Sequence, residues 1–181
     1  MNRLDDNGLS ENDHEIRDRI VKELDVKGQE RRIITNSLRD WHKGWNKVIR
    51  ASQAQFNLMR RMQEADDQGY CICCCTGRRI HYKALDGGHF ISRSKARTRF
   101  EPMNVHPQSK ASNAHDFGNQ DQEQYGLFMI NRYGQEEVDA LVERSRDKEF
   151  TWRDNKELLI SSRVLWSRQL KLDKKRIGVA R

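Results

Sequence analysis

Apolar residues recur at helical spacing along most of the chain and at strand spacing in one central stretch. A capping pattern, Ser10-x-x-Asp13, leads into Ile16, Ile20, Val21 and Leu24, and predicts a short, highly charged helix within residues 10–33. Ser37-x-x-Asp40 gives a second start. Behind it Leu38, Trp41, Trp45, Val48, Ile49, Phe56, Met59 and Met62 hold one apolar stripe, which predicts a single long helix Ser37–Gln63 with its tryptophans in the core. Asp66–Gly69 is poor helix material and ends the pattern. From Tyr70 to Phe100 short β-branched and aromatic runs (Ile80–Tyr82, His89–Ile91) alternate with Gly77, Gly87 and Gly88, predicting a small hairpin. Helical period returns with Tyr125, Phe128, Met129 and Arg132, closed by Gly134 just past the helix end. Glu136, Glu137 and Asp139 open a further helix whose apolar side is Val138, Leu141 and Val142. A third capping pattern, Thr151-x-x-Asp154, precedes Leu158, Leu159, Ser162, Leu165 and Trp166, and Lys171–Arg181 is a basic tail.

These elements predict an α+β, mostly helical protein in three stretches: an N-terminal helical extension (1–68), a site-bearing core (69–120), and C-terminal helices with the tail (121–181). Composition sharpens this only in part. Charged residues are 34% of the chain against 35% apolar, so the apolar material must be concentrated on a few faces. Lys and Arg exceed Asp and Glu by 34 to 27, for a net charge of +7. That excess favours a polyanionic partner through phosphate neutralisation and counterion release, although charge alone does not separate a nucleic-acid binder from an ordinary basic protein. No stretch has the apolar length of a membrane span and residues 1–10 lack a secretory h-region, so a soluble protein without a cleaved signal is expected. All four cysteines lie between Cys71 and Cys75, leaving none elsewhere for a loop-closing disulfide; a reducing compartment is expected.

The chemistry is concentrated in an ordered series: Cys71-x-x-Cys74, Asp86-x-Gly88-His89-Phe90, Arg99-Phe100, Asn104-x-His106-x-Gln108, Asn113-Ala-His115, Gly118-Asn119 and Gly134-Gln-Glu-Glu-Val-Asp139. Taken singly, His89 after two glycines is a turn residue, Asn104 and Asn113 are cap or turn residues, and His106 before Pro107 is structural. In this order, over about residues 65–175, the motifs resemble those of the bacteriophage NinG (Rap) recombination endonucleases, a branch of the HNH and endonuclease VII-like nucleases.

The resemblance implies a ββα-metal hairpin-helix core flanked by long helices, and a metal-dependent endonuclease acting on DNA, with branched intermediates such as Holliday junctions as the expected substrates. It implies His89 as the general base and Asn104 as the residue holding the hairpin and His89. Asn113 would ligate the catalytic ion with Asp86 as carboxylate partner and His115 as a further ligand. Oxygen ligands imply Mg²⁺ or Mn²⁺. Arg93, Arg97, Arg99 and His106 would contact the DNA backbone. Relatives close this core with zinc held by two CxxC pairs; here Ser109 and Ser112 stand where the second pair belongs, so a four-cysteine site cannot form. Cys71 and Cys74 remain as a partial set to which His81 or His115 could add; the other reading is that the thiols pack as small apolar groups. A homodimer and the cytoplasm of a bacterial host are the corresponding expectations for assembly and location. The rival function is a non-catalytic DNA-binding recombination accessory, and a third is a zinc-dependent transcriptional regulator.

Overall fold

The computed structural model describes residues 4–114 and 118–179. The elements are α1 (Glu11–Glu23), α2 (Gln29–Lys43), α3 (Trp45–Gln63), β1 (Tyr70–Ile72), β2 (Arg79–His81), β3 (Leu85–His89), β4 (Val105–Ser109), α4 (Lys110–Asn113), α5 (Gly118–Tyr133), α6 (Gln135–Arg144) and α7 (Lys156–Arg176). The described residues are mostly helical, with two antiparallel two-stranded sheets, β1–β2 and β3–β4. No described helix is long and apolar enough to cross a membrane.

The chain gathers into two units: residues 1–55 with 152–169, and residues 56–151 with 170–181. In the first, Leu9, Ile16, Ile20, Val26, Ile34 and Leu38 pack with Ile160 and Val164 of α7. The Ser10 capping box forms as expected, with hydroxyl and carboxylate of Ser10 and Asp13 each serving the other's backbone N–H. Asp13 is fully buried and also takes bonds from His42 and Lys156. Those bonds and the Ser10 donors outweigh burial and hold its carboxyl well below the usual range. Glu30, on α2, accepts Arg168 at 2.8 Å.

Three helix boundaries differ from the sequence reading. Ser37 lies inside α2 and donates its hydroxyl to Ile33 O at 2.6 Å, so it is a back-bonded interior residue and not a cap. The long stripe is cut at Gly44, whose φ of +141° ends α2 before α3 begins. Trp41 and Trp45, on either side of that break, are half-buried and meet edge to face at 5.0 Å. Helix α7 opens at Lys156 and not after Thr151.

The second unit carries the central motifs. Its core joins Met62 and Ala65, at the end of α3, to the four cysteines, Tyr82, Leu85, Tyr125, Met129, Val138 and Leu141. Arg176 donates to the carbonyls of Ala65 and Met62, covering acceptors that the end of α3 leaves open. Strand β4 is buried at four consecutive positions, which is why it shows no alternation in sequence. Gly134 has φ +86° and donates to Ile130 O, ending α5 as expected and leading into α6.

Candidate active site

The β3–β4 ladder is unbroken, pairing Asp86 with Gln108, Gly87 with Pro107, Gly88 with His106 and His89 with Val105. Side chains along a strand alternate, so Asp86 and Gly88 share one face, and Gly87 and His89 the other. Both glycines are required by close approach. A Cβ on Gly87 would lie 2.8 Å from the Asn57 side chain on α3, and one on Gly88 would lie 1.8 Å from Gln108 Oε1.

On the first face, Asn113 at the end of α4 donates its Nδ2 to Asp86 Oδ2 at 3.1 Å, at a solvent-exposed position. Two oxygen-bearing side chains 27 residues apart thus meet where the hairpin passes into the short helix. Turning the amide by 180° would present its oxygen instead, and a carboxylate with one amide oxygen suits a hard cation that keeps most of its water. His115 lies outside the described residues.

His89 ends β3 on the opposite face. Its Nε2 donates to Arg99 O at 3.1 Å, which leaves the Nδ1 lone pair as the basic site of the neutral ring. Burial pushes its pKa down to about 4, and the Arg99 and Arg93 charges act in the same direction, so the ring is neutral at pH 7. The expected convergence of His89 with Asn113 therefore meets a register offset: Asp86 and His89 are three residues apart, an odd number, and leave β3 on opposite faces.

Asn104 is fully buried and pins the segment that follows His89. Its Oδ1 accepts Ile91 N at 2.7 Å, and its Nδ2 donates to Ile91 O and Thr98 O, both at 3.0 Å. Between those two anchors Arg93, Lys95 and Arg97 are exposed and have no carboxylate partner among the described residues. Arg97 lies over the Phe150 ring at 5.0 Å, whereas Arg99 is half-buried beside Phe100.

His106 is not at the surface. Its side chain is fully buried among Tyr125, Phe128 and Tyr133, its Nε2 meets Met103 O at 3.0 Å, and its Nδ1 has no hydrogen-bond partner among the described residues. Burial pushes its pKa down to about 4, against the pull of Glu64. A phosphate contact there, expected from the sequence, is excluded by this burial. Glu64 itself is held by Arg60, four residues earlier on the same helical turn, and by Arg132, 68 residues on, a partner with no signature in the sequence.

The cysteines are also placed differently from the CxxC reading. Cys71 donates its thiol to Arg61 O at 3.1 Å, and burial pushes its pKa up to about 12. Cys73 instead accepts Ser109 N at 3.2 Å, and Cys75 accepts Gln108 Nε2 at 3.2 Å. Ser109 donates to Ser112 Oγ at 2.8 Å and accepts Ser112 N, capping α4. Among the described residues no group of three His, Cys, Asp or Glu side chains is arranged to hold a metal ion. Hydrogen bonds from Ser109 and Gln108 join the β4 end of the hairpin to Cys73 and Cys75.

Comparison with known proteins agrees with the ordered motifs. The family model described as bacteriophage lambda NinG protein matches residues 10–172. The proteins named ninG of Escherichia phage 933W and Enterobacteria phage VT2-Sa are each 34% identical over 90 residues, which is 49% of this chain and 42% of each relative. No solved structure matches the chain. The model match runs from the Ser10 cap of α1 almost to the end of α7, and with it the chain belongs to the bacteriophage NinG family.

Proposed function

We propose that this protein is a metal-dependent DNA endonuclease that hydrolyses phosphodiester bonds in branched DNA, Holliday junctions among them. The observation that carries this reading is the Asp86–Asn113 contact, which offers oxygen ligands to Mg²⁺ or Mn²⁺ beside a hairpin that also ends in a neutral histidine. A divalent ion bound there supplies charge stabilisation to the scissile phosphate. Asp86 and Asn113 would hold it. His89 would accept a proton at Nδ1 while its Nε2–H stays on Arg99 O, which fixes the ring plane. Arg93, Lys95 and Arg97 would receive the DNA backbone on the segment fixed by Asn104.

A second reading, a DNA-binding accessory without turnover, is favoured by one observation: His89 leaves β3 on the face opposite Asp86. Cleavage of flap and four-way-junction DNA with Mg²⁺ or Mn²⁺ separates the two. The endonuclease cuts, and both His89→Ala and Asp86→Ala lose about 10²-fold or more in rate while still binding DNA. Binding without cutting by the parent protein establishes the accessory reading.

A further inference from the structure

The outward face of the β1–β2 hairpin is not used by the site above. The register pairs Tyr70 with His81 and Ile72 with Arg79, and the intervening pair, Cys71 with Ile80, faces the core. Four side chains therefore stand together on the other face: Tyr70, 36% exposed, Ile72, 54% exposed, Arg79 and His81. The Arg79 guanidinium lies 4.0 Å from the Tyr70 ring centre, and the His81 ring meets Tyr70 edge to face at 5.3 Å. Asp66 accepts Arg79 at 2.6 Å and holds it over the tyrosine ring. Gly69, at φ +83°, lets the chain pass beside this group, because a Cβ there would sit 2.8 Å from His81 Nε2.

Cations bracket β2 along the chain. Arg78 and Lys83, at the two ends of β2, are exposed and have no carboxylate partner among the described residues. An aromatic ring fixed in place, an exposed aliphatic neighbour and unpaired cations at the margins form the arrangement that binds unpaired nucleic-acid bases: the ring stacks, and the cations take phosphates. Tyr70 and Ile72 are two residues apart on a strand, so about 7 Å apart. That is about twice the 3.4 Å per-strand rise of a duplex, whose bases are in any case occupied by stacking on each other.

We infer that the outward face of β1–β2 is a docking surface for single-stranded DNA, seating an unpaired base on Tyr70 with its backbone on Arg78 and Lys83. The inference rests on reading the protein as one that acts on DNA, and it does not depend on turnover. It assigns the unpaired segment of a flap or an open junction to this hairpin.

The test is fluorescence anisotropy of a labelled 20-nucleotide oligo(dT) and of a 20-base-pair duplex, with metal chelated so that nothing is cut. Tyr70→Ala should weaken oligo(dT) binding about tenfold and change duplex binding less than twofold, and Tyr70→Trp should restore the parent affinity. Arg78→Ala with Lys83→Ala should make the log–log salt dependence on oligo(dT) shallower by about 1.4, from two lost phosphate contacts. Unchanged oligo(dT) affinity in Tyr70→Ala overturns the inference. So does an equal loss on oligo(dT), duplex and inorganic polyphosphate, which would mean a plain anion site, or capture of a peptide partner by this face with no effect on DNA. Parent protein that cuts while Tyr70→Ala binds oligo(dT) normally removes the platform and leaves the nuclease reading intact. Tyr70-dependent binding without cutting does the reverse.

Discussion

Replacing Asn104 by alanine removes a buried side chain that ties the start of the basic segment to its end. Three hydrogen bonds are lost, at 2.7, 3.0 and 3.0 Å, each contributing about 1 kcal/mol net. The backbone at Ile91 is half-buried and can turn to water, and Thr98 O, though buried, still accepts Glu101 N at 3.2 Å, so neither carbonyl is orphaned outright. The expected loss is about 3 kcal/mol, a large part of the roughly 5–15 kcal/mol that holds a domain together. Asn104→Asp is the sharper variant. It keeps the shape and the acceptor for Ile91 N, yet sets a carboxylate against two carbonyls, and should cost at least as much. Urea unfolding of the parent and both variants measures the loss directly, and hydrogen exchange at the Ile91 amide reports whether the segment has come loose. Asn104→Ala within 0.5 kcal/mol of the parent, or Asn104→Asp as stable as the parent, would refute the assignment of Asn104 as the anchor.

Acid should destabilise the protein through its buried imidazoles. His106 is displaced from 6.5 to about 4, so its contribution is complete above pH 6.5 and is withdrawn as pH falls from there to about 4, a loss of about 3 kcal/mol. His89 is shifted the same way. Urea midpoints at several pH values between 7 and 4 should therefore fall, and His106→Phe should flatten part of that slope; an identical slope in the variant contradicts the buried neutral ring. Gly88→Ala forces a Cβ against Gln108, and Gln108 must then release Cys75 Sγ and Ser112 O; about 2 kcal/mol, or a melting point lower by about 4–8 °C, is expected. A double-mutant cycle with Gln108→Ala should recover part of it, and strict additivity would mean the clash is relieved elsewhere.

What the sequence made legible was local. The Ser10–Asp13 box and the Gly134 stop each depend on residues within one turn, and both stand where the pattern put them. Ser37 misled because its hydroxyl finds Ile33 O instead of a free N–H, a choice set by where α2 begins and not by the four-residue pattern. Gly44 was hidden because an apolar stripe can run on either side of a break without losing phase. The meeting of Asp86 with Asn113 was reachable only through the ordered family motifs, since no local rule brings those positions together. His106 and the cysteines depend on tertiary register. Nothing in the string Cys-Ile-Cys-Cys-Cys tells that the thiols of Cys73 and Cys75 and the N–H of Cys74, and not the Cys71–Cys74 thiol pair, meet β4.

The order in which the chain visits its two units governs how it can be dissected. It leaves the first after residue 55, returns at 152 and departs again after 169, so no single cut yields either half intact. Ending the polypeptide at 151 would strip Ile160 and Val164 from the cluster around Ile20 and take away the arginine that covers the last carbonyls of α3. Nested truncations from the C-terminus should accordingly give insoluble or protease-sensitive products well before they reach the hairpins, and a minimal fragment would have to be assembled by rejoining distant segments.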